Sequence, residues 1–283
     1  MSKGKKTVLI SAIICAALGL ILCVVTLAVS GWRLVDKTRD IAGNISNGTI
    51  NKIIDGISVR DTDNELNGGF AVAAFGVEDF DAAGIRHIEI SAVADNVILL
   101  PVTGEDKITV EYPEKAAFDG GTCGYTSEIK GDTLKINYFE TDLLSLALGE
   151  DGDLKIWIPS TLFDTADINI DIVSGDVELS DLFGERLQVA TVSGEVELNR
   201  CRFASLLLTS NSGGMELTGC DAETMKLEST SGDIEIGLAK AYTEYDVKIN
   251  TVSGEVSGRM HTGGSKTVEV DTVSGDIELE YGA

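Results

Sequence analysis

The chain has 283 residues, of which 46 are acidic and 22 basic, so its formal net charge is -24. Such an acidic surface repels a phosphate backbone, which excludes nucleic acid as a partner. The 31 glycines, three prolines and 43% hydrophobic residues are typical of an ordered, turn-rich β protein rather than of a disordered chain. The five cysteines are too sparse for a disulfide framework.

The N-terminal segment predicts a membrane anchor. Residues 7–30 read TVLISAIICAALGLILCVVTLAVS, without a charge, and at ~1.5 Å per residue they can cross the ~30 Å hydrocarbon core of a bilayer. A cleaved signal peptide is the alternative, but its apolar region is usually only ~7–15 residues long. We therefore expect a cytoplasmic tail at residues 1–6, one transmembrane helix at 7–30 and an extracytoplasmic C-terminal domain on a single-pass protein of the cell membrane.

Two segments separate this anchor from the repeats described next. Residues 31–75 form a juxtamembrane connector, in which four isoleucines at helical spacing between Ile50 and Ile57 predict a short helix that packs on the following domain. Residues 76–165 form a leading β region, with short strand patterns separated by turns. Within it, the segment from His87 to Leu100 aligns with Thr267 to Glu280, with Ala94-Asp95 in place of Ser-Gly. We interpret it as a degenerate first coil.

Residues 166–283 contain six repeats, which we number as units one to six. Their Ser-Gly pairs begin at intervals of 19, 19, 19, 22 and 21 residues, and the turn glycines are Gly175, Gly194, Gly213, Gly232, Gly254 and Gly275. Each glycine is expected at a strand-to-strand corner that does not tolerate a Cβ.

Apolar residues recur at four positions of every unit: six and four residues before the serine, and three and five after it. Of these 24 places, 23 are apolar, with Gly258 the exception. Period-two alternation predicts strands with one buried face, and a unit this short can bury that face only against its neighbours. The predicted fold is all-β: a parallel β-solenoid, similar to a β-helix, of about six to seven coils after one N-terminal transmembrane helix.

Three motifs carry a resemblance to a known family: FDAAGIRHIEI near the start, then DGDLKIWIPS, then the iterated TVSGDIEL-type turns. Over about residues 75–283 they resemble the bacterial "putative adhesin" domain of unknown function, found in envelope proteins. The resemblance implies a β-solenoid, attachment to the membrane by an N-terminal helix and, in some members, a link to envelope stress. It implies no catalytic residues. The fifth unit departs from the pattern, because Ser257 and Gly258 replace the usual Glu and Leu, so that coil is expected to bulge or to be locally weak.

The outward positions of the strand after each turn form two rows of carboxylates. One row is Asp176, Glu195, Asp233, Glu255 and Asp276; the other is Glu178, Glu197, Glu216, Glu235 and Glu278. Stacked oxygen ligands would suit Ca²⁺. The alternative, a solvated acidic face that keeps the strands soluble, is favoured because the dense Gly-Asp repeats of calcium-binding β-rolls are absent. No other cofactor is expected.

Cysteines and histidines offer little chemistry. Cys201 and Cys220 are one unit apart and should stack on neighbouring coils. They could form a disulfide or simply fill the core as free thiols, and we favour the second alternative. His87 and His261 belong to distant units, which argues against a histidine-based site. We find no phosphate loop, nucleophile elbow or zinc spacing.

The resulting hypothesis is a non-enzymatic interaction scaffold of the cell envelope that acts in adhesion or stress sensing and binds an envelope protein or a polysaccharide. A polysaccharide-processing enzyme is the alternative, since β-helices host such enzymes, but it would need an irregular cluster of carboxylates in a groove. The last unit, SGDIELEYGA, ends without an evident cap. An unpartnered edge there would allow an end-to-end homodimer.

Overall fold

The computed structural model describes residues 76–113, 123–140, 152–163 and 165–282. This part of the chain is all-β, with eighteen strands and two 3-10 turns, Ser160–Leu162 and Tyr242–Glu244. The strands are β1 Val77–Asp81, β2 His87–Ala92, β3 Asn96–Val102, β4 Lys107–Glu111, β5 Cys123–Lys130, β6 Thr133–Glu140, β7 Asp153–Pro159, β8 Asp167–Ile172, β9 Val177–Ser180, β10 Phe183–Thr191, β11 Val196–Asn199, β12 Arg202–Ser210, β13 Met215–Ser231, β14 Ile234–Leu238, β15 Tyr245–Ser253, β16 Val256–Gly258, β17 Lys266–Ser274 and β18 Ile277–Tyr281.

The expected transmembrane helix at 7–30 and the connector at 31–75 lie outside the described residues. Within the described ranges, no helix is long and apolar enough to cross a membrane.

The strands form two sheets with mostly parallel pairing, because each unit contributes one strand before its turn and one after it. Sheet A has the order β5-β6-β2-β8-β10-β12-β13-β17-β15. Sheet B has the order β1-β4-β7-β3-β9-β11-β13-β14-β18-β16. The long β13 joins both sheets, since it leaves unit three in sheet B and enters unit four in sheet A.

The core lies between the two sheets and consists of the apolar rows predicted from the repeats. Equivalent positions align in register, as Ile168, Leu187 and Leu206 do across the first three units. Every row residue is buried except Ile249, Val256 and Gly258, all three in unit five. The all-β class and the inward alternation are therefore confirmed.

The leading strands extend the same stack and then close it. β2 and β3 lie in register with β8 and β9, so that Ile88 aligns with Ile168 and Leu99 with Leu179. Beyond them, β6 and β7 add one more parallel layer. β5 then pairs antiparallel with β6, and β4 antiparallel with β7 and β1. The change from parallel to antiparallel pairing ends the repeat at this side.

The last two units do not stack in chain order. β17 of unit six lies between β13 of unit four and β15 of unit five, and β18 lies between β14 and β16. The expectation that the last unit presents an unpartnered edge is therefore wrong. Unit five forms the end of the stack, and unit six is inserted beneath it.

Charges favour this inserted order. Lys226 of unit four, Glu269 of unit six and Lys248 of unit five align as neighbours on sheet A, so that the signs alternate. Chain order would instead place the two lysines side by side, and like charges opposite each other are destabilising. Lys266 of unit six also donates to the buried Asp221 of unit four, at 3.0 Å from Oδ1.

Packing favours the same order. Unit five has Gly258 where the other units have Leu or Ile, and an interior coil with that gap would leave an unfilled space against both neighbours. At the end of the stack, the gap has only one neighbour, Leu279. The weak coil predicted from sequence is thus the terminal coil.

Candidate functional site: the acidic face

Close stacking of the turns explains the repeated glycine. A Cβ on Gly194 or Gly213 would overlap the carbonyl oxygen of the turn glycine in the preceding unit, although neither residue has a positive φ. Gly254 meets Gly275 in the same way, and Gly275 meets Gly232, which follows the order of units four, six and five. The space between coils therefore requires glycine at these turns, and at Gly232, Gly254 and Gly275 a positive φ favours glycine as well.

Buried hydroxyls support two of the turns, and sequence reasoning missed them. The Thr191 Oγ1 accepts a hydrogen bond from Gly194 N at 2.9 Å, and Ser210 Oγ accepts one from Gly213 N at 2.8 Å. The signal was available, because Thr or Ser stands two residues before the turn serine in five of the six units. Thr191 and Ser210 thereby satisfy backbone N–H groups at buried corners, where an unpaired N–H is costly.

The first carboxylate row is partly structural. Asp176 Oδ1 accepts a hydrogen bond from the Glu195 N at 2.9 Å, and Asp276 Oδ1 accepts one from the Glu255 N at 2.8 Å. Asp233 Oδ1 accepts the Asp276 N at 2.8 Å. Each aspartate therefore binds the backbone of the next coil in the stack, which explains why the turn is Ser-Gly-Asp in three units.

The second carboxylate row has no comparable structural explanation. Glu178, Glu197, Glu216, Glu235 and Glu278 are exposed and aligned in register on sheet B. Among the described residues, no Lys, Arg or His forms a salt bridge with any of them. We call the two rows together the acidic face: Asp176, Glu178, Glu195, Glu197, Glu216, Asp233, Glu235, Glu255, Asp276 and Glu278.

Mutual repulsion is strongest near the centre of the acidic face. Partial burial, followed by repulsion from Glu178 and Glu216, raises the pKa of Glu197 above its ordinary value. Carboxylate oxygens of Glu195, Glu197 and Glu216 lie within 4.8 Å of one another. Adjacent strands are ~4.8 Å apart, so each neighbouring pair costs on the order of 1 kcal/mol even in water. A cation would relieve the most repulsion at this trio, because the three carboxylates lie closest together there. Carboxylate oxygens are also the ligands that Ca²⁺ prefers.

The remaining sequence candidates are placed apart from the acidic face. Cys201 and Cys220 are buried free thiols on neighbouring coils. Cys201 Sγ donates to Leu179 O at 3.5 Å and Cys220 Sγ to Leu198 O at 3.4 Å, and both side chains are almost fully buried, so they fill the core corner. His87 lies 3.3 Å from Asp167. His261 packs on the end coil, with its Nδ1 3.1 Å from Tyr245 O.

The degenerate coil holds a buried polar pair that the sequence did not reveal. Asp95, fully buried, replaces the turn glycine, and its Oδ2 accepts a hydrogen bond from the Tyr125 hydroxyl at 2.8 Å. Its Oδ1 accepts the Gly152 N at 2.9 Å. Burial, followed by the neighbouring Asp95 charge, raises the pKa of Tyr125 well above its usual range. Asp95 thus ties the leading hairpin to the stack.

Depressions in the described surface do not resemble a glycosidase cleft. One, of about 360 Å³, lies on the outer side of sheet A beside Lys226 and Glu269. The hydrogen bond from Lys248 lowers the pKa of Glu269, whereas a general acid needs a raised pKa. Another, also of about 360 Å³, lies beside Arg86 and Asp106 at the leading end.

Comparisons with known proteins agree with a repetitive β fold. The family model described as Toastrack DUF4097 matches residues 83–283. The chain belongs to this family, whose domain has no assigned function. No curated protein matches the sequence.

Two crystal structures are similar to the chain. One, a "putative cell adhesion protein" from Clostridium sporogenes, is 12% identical, covers 72% of this chain and 97% of its own, and has a TM-score of 0.33. The other, a "putative adhesin" from Bacteroides fragilis, is 15% identical, covers 75% of this chain and 100% of its own, and has a TM-score of 0.40.

Proposed function

We propose that the protein is a non-enzymatic interaction scaffold of the cell envelope, held at the membrane by residues 7–30 and binding its partner through the acidic face. The observation that carries the proposal is the row of five exposed glutamates in register. A solenoid needs its inward rows and turn glycines to fold, but it does not need Glu178, Glu197 and Glu216 to stand side by side, since neighbouring like charges oppose folding.

The shape of the acidic face supports a broad, repetitive partner. Its carboxylates recur at the ~4.8 Å spacing of the strands, so a chain with regularly spaced cationic groups can bind several units at once. A cationic envelope polymer or a basic protein segment meets this description. A polyanionic polysaccharide meets it only through bridging Ca²⁺.

The enzymatic alternative has weaker support. Polysaccharide-processing sites place a few irregular polar groups in a groove and keep one carboxyl protonated by its surroundings. On the described surface, the carboxylates instead form uniform exposed rows. The scaffold role is consistent with membership of an adhesin-like family. Stress sensing would be one use of such a scaffold.

The test is binding of the full-length chain to isolated envelope fractions and to a cationic probe, poly-lysine, with and without Ca²⁺. The variant E178Q/E197Q/E216Q removes three adjacent charges and retains the side-chain shape. The matched control, E105Q/E185Q/E244Q, removes three exposed charges that lie outside the acidic face. We expect the first variant to lose most binding and the control to retain it. Equal losses would reject the acidic face as the binding surface.

Calcium titration followed by calorimetry separates the two uses of the acidic face. Heat release and a higher melting temperature in the wild type, both absent in E197Q, would support cation bridging. Absence of heat in the wild type would reject Ca²⁺ and leave direct binding of a cationic partner.

A further inference from the structure

The end of the stack at unit five is incompletely covered. β15 pairs with β17 and β16 with β18, and no other described strand pairs with either. The loop after β16 covers only the first part of β15, where Val247 N donates to the His261 O at 2.9 Å. From Lys248 onward, no strand among the described residues pairs with the outer edge of the terminal coil.

Apolar groups accompany this open edge. Ile249 and Val256 occupy row positions that are buried in every other unit, yet here they are only partly buried. Met260, in the loop that follows β16, is 58% exposed. An uncovered strand edge with apolar residues is a template for pairing with another chain. We call residues 248–258 together with Met260 the open edge.

Charge distinguishes this end from the rest of the protein. Between residues 248 and 264, Lys248 and Arg259 stand against Glu255 alone, a net charge of +1. The equivalent stretches of the other five units carry between 0 and -5. Two copies of a chain with net charge -24 repel each other over most of their surface, and this end is where the repulsion is least.

From these observations, we propose that the occupant of the open edge is the same edge of a second copy, so that two solenoids associate end to end about a two-fold axis. The contact is isologous and closes at a dimer. It is formed by unit five rather than by the last unit, and it does not depend on the acidic face.

The size of the end coil sets the strength of this contact. A nine-residue strand is about 30 Å long and the sheets lie about 10 Å apart, so the two copies together bury less than the ~1,200–2,000 Å² of a standard interface. The dimer is therefore weak and concentration-dependent in solution. Attachment of both copies to one membrane would raise their effective concentration and favour pairing.

The experiment is sedimentation equilibrium of the full-length chain in density-matched detergent over a wide range of protein concentration. We expect a reversible monomer–dimer equilibrium. V256D places a carboxylate in the open edge and should shift the dissociation constant at least tenfold towards monomer. V77D is the matched control, because Val77 is 61% exposed on β1 at the opposite end; this variant should dimerise as the wild type does.

Other outcomes would overturn the proposal. A monomer at every concentration, or a V256D variant that dimerises normally, would exclude this edge as the interface. Loss of association in both variants would show head-to-tail assembly instead. S257D, at an exposed position of the same strand, repeats the test if V256D lowers the melting temperature. Loss of association in E178Q/E197Q/E216Q alone would move the contact to the acidic face.

Discussion

Lys266 should hold the inserted unit in place. Its ammonium lies 3.0 Å from Asp221 Oδ1 and 3.0 Å from Glu223 Oε1, and its side chain is only 14% exposed. The Tyr245 hydroxyl donates to the same Asp221 oxygen at 2.9 Å. One network therefore joins unit four, unit six and unit five. The informative perturbation is K266M, which keeps the length of the side chain and removes its charge.

The expected loss of stability in K266M depends on the Asp221 carboxylate, which loses its cationic partner. Removing one partner of a buried ion pair costs about 3–5 kcal/mol when the other charge is left buried. Here Asp221 retains the Tyr245 hydroxyl and Lys266 is slightly exposed, so we expect about 2–3 kcal/mol. For a domain of this size, each kcal/mol corresponds to roughly 2–4 °C in melting temperature, hence a loss of about 4–12 °C.

Lys248 provides the matched control, because it also forms an ion pair between neighbouring strands of sheet A, with Glu269 at 2.5 Å, but is 65% exposed. K248M should leave the melting temperature nearly unchanged, since exposed pairs contribute little. The double variant K266M/D221N should regain part of the lost stability because no charge is left unpaired. The assay is thermal unfolding followed by circular dichroism. Equal melting temperatures for K266M and K248M would refute the argument.

The same ion pair predicts an alkaline dependence. Burial lowers the pKa of Lys266, but its hydrogen bonds to Asp221 and Glu223 outweigh burial and raise the pKa above 10.5 overall. A raised pKa means that the stabilisation is complete below pH 10.5 and disappears as the pH rises through the folded-state pKa. The difference in melting temperature between the wild type and K266M should therefore narrow above that pH.

Two further predictions concern the turns and the acidic face. G213A should destabilise the fold by at least about 2 kcal/mol, because the added Cβ would overlap Gly194. Overpacked sites typically lose stability of this order. G214A, with no atom closer than 3.6 Å, should unfold like the wild type, and similar denaturant midpoints for both would reject the stacking explanation. E197Q should stabilise the protein at pH 7 and low salt by a few tenths to about 1 kcal/mol. The raised pKa of Glu197 makes its charged form unfavourable, so this gain should shrink as the pH falls through the carboxyl range; an unchanged midpoint at pH 7 would contradict it.

Much of the fold could be predicted because the repeat is local. The period-two rows before and after each serine indicated which residues face the core, and burial of Leu187, Leu208 and Ile234 follows directly from that pattern. The carboxylate rows could be located for the same reason, since residues between two inward positions must face outward. The hydroxyl row at Thr191 and Ser210 was missed because its residues are polar, although they point inward.

Other features depended on contacts between distant segments. Asp95 resembles an eroded Ser-Gly pair in sequence, and only its contacts with Tyr125 and Gly152 explain a buried carboxylate. These two residues lie 30 and 57 positions away along the chain, so no local pattern could identify them. The difference between the two carboxylate rows also required coordinates, because the hydrogen bond from Glu195 N to Asp176 crosses from one coil to the next.

The sequence by itself determined the all-β class of the fold, the inward and outward sides of the strands in the six units and the positions of the Ser-Gly turns, because these depend on residues a few positions apart. Only the tertiary structure decided the order in which the coils stack. All units present nearly the same apolar rows, so any order satisfies the local pattern. The stacking order of units four, six and five depends on ion pairs such as that between Lys266 and Asp221. Because of this order, the open end of the stack is unit five and not the last unit.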